Sequence, residues 1–441
     1  MNDRPQRELK RSLGLAAVIL YGVGDILGAG IYALVGKIAG IAGSASWLAF
    51  GIALAVASLT ALSYAELGSR FPRSGGESFF CQRAFRSPSF GLFIGWLVLT
   101  SGIVSLATVA RAFAGYLIEI VAVSASPTVQ FVCMLLFLAT LAGINFWGIE
   151  QSSKTNIVCT MIEATGLLLV IAVGIAYLAD PVPAQAARVA AEGRWPPWSA
   201  IGQAAAVAFF AFIGFEDMVN VSEEMRSPKR DLPVAILTAV AIAGTVYIAV
   251  VWVAIKVVPP SELAASQAPL VTVVRYAAPA IPPWVFTAIA LFAVANTALL
   301  NFIMASRLLY GMSHQRLVPR WLGEVHGRTN TPYHAIAVVF TAALVLACSG
   351  SLVFLAGTTS VLLLTVFLSV NVALVVVKHR EPVDHGFRIP TLIPIVAAAA
   401  NAVLICFVPL KSLLSGSVVM AIGIGILVVE RIRRKKQGDA Q

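Results

Sequence analysis

The feature that most constrains this chain is its division into long, uninterrupted apolar runs. Twelve such windows lie between short charged or Pro/Gly-rich joints, at 13–38, 45–67, 90–120, 128–146, 156–178, 201–225, 233–257, 284–310, 334–349, 355–377, 390–408 and 412–429. A helix that crosses a bilayer needs about 20 largely apolar residues, and most of the windows reach that length. None alternates apolar and polar residues residue by residue, which argues against a β-barrel. Charged residues make up 12% of the chain, whereas a soluble domain carries about 25%. The expected class is therefore an all-α polytopic membrane protein with 12 transmembrane helices, not a soluble enzyme.

The formal charge of +10 would suggest nucleic acid if the basic residues formed one patch on a soluble domain. They sit instead in short joints, and nucleic acid is not an expected partner. With the N-terminus inside, 24 Lys and Arg residues fall on the cytoplasmic side and six outside, and Arg111 lies within the third window. This asymmetry orients the chain with both termini in the cytoplasm, and the expected location is the cytoplasmic (inner) membrane. The cysteines (Cys81, Cys133, Cys159, Cys348, Cys406) have no metal-ligand spacing and read as small buried hydrophobes.

Two windows carry an interruption. The first contains Gly28-Ala29-Gly30, and the sixth contains Phe212-Ile213-Gly214-Phe215 followed by Glu216-Asp217. Glycine weakens a helix by about 1 kcal/mol, and charged groups facing lipid are costly. Open backbone within a membrane is tolerated only where protein or water satisfies it, so both segments are expected to line a polar cavity. Interrupted helices at equivalent places in two halves point to a transporter's binding site. Taken alone, the glycines could equally be packing contacts between helices.

Four stretches carry a family resemblance. YGVGDILGAGIYALVG (21–36) resembles the first-helix signature of amino acid permeases of the amino acid-polyamine-organocation superfamily. YAELGSRFPRSGGE (64–77) is similar to that family's loop after helix 2, FFAFIGFEDMVNVSEEMRSPKRDLPVAI (209–236) to its helix 6 and following loop, and SRLLYGMSHQRLVPRWL (306–322) to its loop after helix 8. The resemblance implies a leucine-transporter-type fold of five plus five inverted helices with two further helices. The organisation is then a cytoplasmic tail (1–12), a first repeat (13–178), an outer loop (179–200), a second repeat (201–377), two additional helices (378–429) and a basic tail (430–441).

An α-amino acid presents a carboxylate and an ammonium. Amides at Ala29, Gly30 and Ile31, after Gly28, put the positive end of a helix dipole where a carboxylate can sit. Carbonyls freed at Ile26, Phe210, Ala211 and Ile213 can accept from the ammonium. The resemblance assigns the same roles to these positions. Phe210, Phe212 and Phe215 are candidate gates or pocket walls, with plain packing as the alternative. Asp25, Glu216 and Asp217 are carboxylates expected near one pocket, favouring a cationic substrate or a held proton; the alternative pairs one of them with Arg111. Glu163 departs from the family, where several relatives carry a lysine, and a carboxylate there can carry a proton or help hold a cation. Asn296, Thr297 and Asn301 could complete a site or simply bond neighbouring helices. Glu223-Glu224 and the basic residues after them could form an inner gate or equally anchor helices at the interface.

The function expected is secondary active transport of an amino acid, cationic or otherwise, or of a related amine, by alternating access. Coupling to a proton, or exchange, is expected, with sodium symport as one alternative and a polyamine substrate without a carboxylate as another. A channel or a non-transporting sensor is the remaining class, since a fold can be reused. No metal cluster, nucleophile elbow or phosphate loop marks an enzyme, and no cofactor is called for beyond H+ or Na+ as coupling ion. The expected partners are the small-molecule substrate and the bilayer, and the sequence leaves the oligomeric state open.

Overall fold

A computed structural model describes residues 13–72, 76–121, 126–146, 153–219, 222, 225–314, 318–327, 329, 331–381 and 386–438. The tail 1–12 and the pair Glu223-Glu224 lie outside them. Among the described residues, seventeen α-helices follow one another. The first seven are α1 (Leu15–Ile26), α2 (Ala29–Ala42), α3 (Ser46–Arg70), α4 (Gly76–Phe85), α5 (Pro88–Val121), α6 (Pro127–Phe146) and α7 (Ser153–Ala179). The short α8 (Pro183–Ala191) and α9 (Trp198–Ala208) lead to α10 (Pro228–Val257), α11 (Pro260–Ala265) and α12 (Pro269–Ala277). The last five are α13 (Pro283–His314), α14 (Tyr333–Ser349), α15 (Leu352–Arg380), α16 (Leu392–Cys406) and α17 (Leu410–Gly438).

Nine helical stretches of the described residues are long and apolar enough to cross a membrane, one of them the 56-residue run Leu15–Arg70 that contains α1, α2 and α3. Two shorter apolar helices, α14 and α16, accompany them. Away from their ends, helices satisfy their backbone donors and acceptors internally, which is what a bilayer demands, and no sheet occurs among the described residues. Proline opens α5, α6, α8, α10, α11, α12 and α13, where its missing N–H costs nothing. Pro233, which the sequence suggested as a helix start, lies one turn inside α10 because Pro228 already opens it. Cys81 is buried and Cys133 half-buried, but Cys348 and Cys406 are exposed on their helices. A thiol is apolar enough to face lipid, which the sequence reading of all five as buried did not allow for.

On the side where basic residues gather, Glu66 of α3 is fully buried. Its Oε1 pairs with Arg70, and its Oε2 accepts from Lys378 Nζ and from the Ile389 amide, both at 2.9 Å. This triad joins α3 to α15 and to the segment before α16. Such a buried group is sustained only while every charge keeps its partner.

Candidate functional site

At about 1.5 Å per residue, the 12 residues of α1 span roughly 18 Å, too little to cross a hydrocarbon core of about 30 Å. α1 and α2 thus make one crossing together, broken at Leu27-Gly28. Gly28 (φ −58°, ψ −148°) turns the chain out of the helix. A Cβ here would lie 2.1 Å from Thr297 Oγ1, so the bare glycine is what lets α13 approach. Thr297 Oγ1 then accepts from the Ala29 amide at 3.0 Å. On the other side of the break, the Ile26 carbonyl accepts from the Tyr247 hydroxyl of α10.

The second break follows α9. The chain tightens into a 3₁₀ turn at Phe209–Phe212, extends at Ile213 (φ −68°, ψ 140°), and reverses at Gly214. Gly214 has φ +129°, a conformation that glycine adopts without steric cost. A second 3₁₀ turn, Phe215–Val219, comes next. The two breaks touch main chain to main chain. A Cβ on Gly214 would sit 2.9 Å from the Asp25 carbonyl carbon, and one on Gly30 would sit 2.5 Å from Ala211 Cα.

Between them lies a hollow of about 30 Å³, space for roughly two waters. A larger solute enters only after its walls move. The first break contributes Asp25, Ile26, Gly28, Ala29 and Gly30; the second contributes Phe210, Ala211, Ile213, Gly214 and Asp217. Ser105 of α5 and Thr297 and Asn301 of α13 close it, with Asn301 Nδ2 donating to Ser105 Oγ at 3.3 Å. The hollow is thus walled by main-chain groups, hydroxyls, an amide and two carboxylates.

The candidates from the sequence divide into those at the hollow and those elsewhere. Asp25 lines it, and its Oδ2 is buried without a hydrogen-bond partner among the described residues. Asp217 lines it as well, whereas Glu216 does not: Glu216 Oε2 turns back to accept the Gly214 amide at 2.8 Å. That bond caps the break, and a 3₁₀ turn sends adjacent side chains about 120° apart. Phe210 lines the hollow, but Phe212 packs against Phe50 and Tyr247, and Phe215 against Tyr64 and Phe367. Ile31 is buried outside the lining. The amide of Ala29 and the carbonyl of Ile26 already hold partners within the protein, so a ligand must share or displace them.

Glu163 of α7 stands behind the first break. Its Oε1 accepts from Asn296 Nδ2 at 3.3 Å, its Oε2 has no hydrogen-bond partner among the described residues, and its main-chain carbonyl accepts from the Tyr32 hydroxyl at 3.2 Å. Asp25 lies within electrostatic reach of Asp217, Glu216 and Glu163. Arg111 is a correction to the sequence reading. It pairs with none of these carboxylates; its Nη1 donates to the Ala347 carbonyl in the last turn of α14 at 2.7 Å, and its Nη2 reaches Gln130. Six residues beyond Ser105, it points about 240° around α5 and about 9 Å further along, away from the hollow. A guanidinium on a helix C-terminus satisfies carbonyls that lack partners and complements the dipole.

Tyr247 and Ser105 escape sequence reasoning. Each sits in an apolar run, and only the tertiary fold reveals its partner at a break. Thr297 and Asn301 bond across helices, as the sequence allowed, and both face the hollow.

Fold and site together define a multi-pass membrane protein with a polar hollow between two broken helices, the build of a transporter rather than an enzyme. The family model described as "Amino acid permease" matches residues 13–429, and the chain belongs to that family. It is 30% identical over 440 residues to an uncharacterized transporter of Mycobacterium tuberculosis (strain ATCC 25618 / H37Rv), covering 98% of this chain and 94% of the relative. The branched-chain amino acid permease BcaP of Bacillus subtilis (strain 168) is 27% identical over 90% of this chain and 87% of its own length. Cationic amino acid transporter 4 of Homo sapiens is 31% identical over 74% of this chain and 53% of its own length.

Proposed function

We propose that the protein is a secondary active transporter that moves an amino acid or related amine by alternating access, with proton coupling or exchange. One observation carries this reading. Two interrupted helices meet main chain to main chain at a hollow that holds Asp25, with an unpartnered carboxylate oxygen, beside Asp217. The start of α2 offers helix N-terminal amides to a carboxylate. Asp25, Asp217 and the carbonyls of the second break suit an ammonium, and two acids favour a substrate with a second positive charge. Glu163, with one buried oxygen unpartnered, can bind a proton as the carrier cycles. Counting Leu15–Arg70 as two crossings and adding α14 and α16 brings the nine stretches to twelve, which supports the five-plus-five arrangement with two further helices. The basic joints support cytoplasmic termini, and the membrane proposed is the inner, cytoplasmic one.

A neutral apolar substrate is the second reading, favoured by Phe210 and Ile213 in the lining and by the branched-chain permease among the relatives. Uptake of labelled arginine, leucine and putrescine into proteoliposomes, under imposed proton or sodium gradients, tests both. Arginine uptake driven by a pH gradient is expected. Leucine uptake without arginine uptake would select the second reading, and putrescine alone would show that no substrate carboxylate is recognised. Binding of all three without flux would refute transport.

A further inference from the structure

Glu77, in the first turn of α4, is a buried acid that takes no part in the hollow. Its Oε1 accepts from the Tyr64 hydroxyl of α3 at 3.2 Å. No Lys or Arg among the described residues forms an ion pair with it. The Tyr64 ring packs edge-on against Phe215 with centroids 5.5 Å apart, and Phe215 belongs to the same 3₁₀ turn as Asp217. Asp217, which lines the hollow, and Glu216, which caps the break, are both within electrostatic reach of this group. α4 itself lies in the joint between the second and third long helices, on the side rich in basic residues.

We propose that Glu77 is the proton-exit carboxylate of this carrier, receiving a proton from the acids of the second break, with the Tyr64 hydroxyl as its neighbour on the route, and releasing it on the basic side. In this step a proton leaves the carboxyl of Asp217 or Glu216, Tyr64 accepts it while passing its own hydroxyl proton to Glu77 Oε1, and Glu77 gives it up to solvent. No other bond is made or broken. The inference rests on the proton-coupled reading above.

A first-turn carboxylate also serves as a helix cap. That duty alone does not call for burial of a carboxyl against a tyrosine beside further acids. Burial, opposed in part by its own backbone N–H, pushes the Glu77 carboxyl up to about 7, with Asp217 adding to the rise, so it can both hold and release a proton near neutrality. Among the described residues, the charged and titratable groups around it are Tyr64 from α3, Glu216 and Asp217 from the turn, and Cys81 on its own helix. At the far end of α4, Arg83 pairs with Glu381 and Arg380 donates to the Ala84 carbonyl. On α5, Arg111 lies toward the other end of the helix.

The test uses the full chain in proteoliposomes with labelled arginine, and leucine in parallel. Glu77→Gln keeps an acceptor for Tyr64 but carries no proton. Expected is a fall of at least about tenfold in accumulation driven by a pH gradient, a flattened pH profile between about 5.5 and 8, and substrate exchange at equal pH within about twofold of the parent. Exchange needs no net proton movement, so a cap alone would not separate the two modes. Glu77→Asp should restore accumulation with a displaced pH optimum. Accumulation and pH profile unchanged in Glu77→Gln, while the parent responds to the gradient, would overturn the assignment of Glu77 alone. A parent that accumulates nothing under a pH gradient would overturn proton coupling and this proposal with it. If Glu77→Gln does not fold, Glu77→Asp decides: a displaced optimum supports the assignment and an unchanged one overturns it.

Discussion

Gly30→Ala is the smallest change that should disable the site. The added Cβ would lie 2.5 Å from Ala211 Cα and 2.9 Å from Ala211 Cβ, where ordinary contact begins at 3.4 Å. The two breaks must therefore part by about 0.9 Å, and the atom in the way is main chain, which cannot swing aside. Overpacking of this kind costs about 1–3 kcal/mol. Because Gly30 and Ala211 both line the hollow, the displacement falls on the groups proposed to grip substrate, and a misplacement of about 1 Å can cost roughly 100-fold. Apparent affinity for the transported amino acid should drop by about 10- to 100-fold, since each 1.4 kcal/mol is a factor of ten. Gly51→Ala on α3 is the matched control, because no atom lies within 4 Å of the added carbon. Initial uptake rates against substrate concentration, with melting temperatures of the purified variants, separate loss of site from loss of fold. Gly30→Ala transporting like Gly51→Ala would refute the contact between the breaks.

Thr297→Val removes the acceptor of the Ala29 amide while keeping the side chain's shape, and leaving a buried donor unpaired costs about 1–3 kcal/mol. Both thermal stability and substrate affinity should fall, as measured by unfolding with and without ligand. Glu66→Gln breaks the charge set with Arg70 and Lys378, none of which lines the hollow; the expected loss is about 3–5 kcal/mol of stability, with substrate affinity in the folded fraction unchanged. Glu77 gives a pH dependence with a definite sign. A carboxyl raised from 4.5 to about 7 in the fold contributes fully below about pH 4.5 and loses that contribution as pH rises through about 7, on the order of 3 kcal/mol. Glu77→Gln should therefore gain in melting temperature relative to the parent between pH 5 and 8, and a constant difference across that range would contradict the assigned environment.

The breaks were legible in the sequence because glycine is a local signal: Gly28 and Gly30 mark the first and Gly214 the second. The apolar runs were legible for the same reason, since a bilayer reads hydrophobicity residue by residue. The directions of the carboxylates were not. Adjacent acids Glu216 and Asp217 are indistinguishable as letters, and only the 3₁₀ geometry sends one to the Gly214 amide and the other to the hollow. Arg111, the counter-charge of the alternative reading, is set by its position on α5 against α14 instead. Tyr247 meets Ile26 from 221 residues away, and Lys378 reaches Glu66 from α15. Contacts of that range leave no mark in a single chain's periodicity.

Hydrogen–deuterium exchange across the two breaks, with and without transported substrate, tests the central claim most directly. Open backbone at Gly28–Ile31 and Ala211–Gly214 should exchange faster than the interior of α3, and both segments should slow together when substrate binds, since both contribute groups to one hollow. Segments already as slow as α3 without substrate, or protection by substrate confined to some other part of the chain, would contradict it.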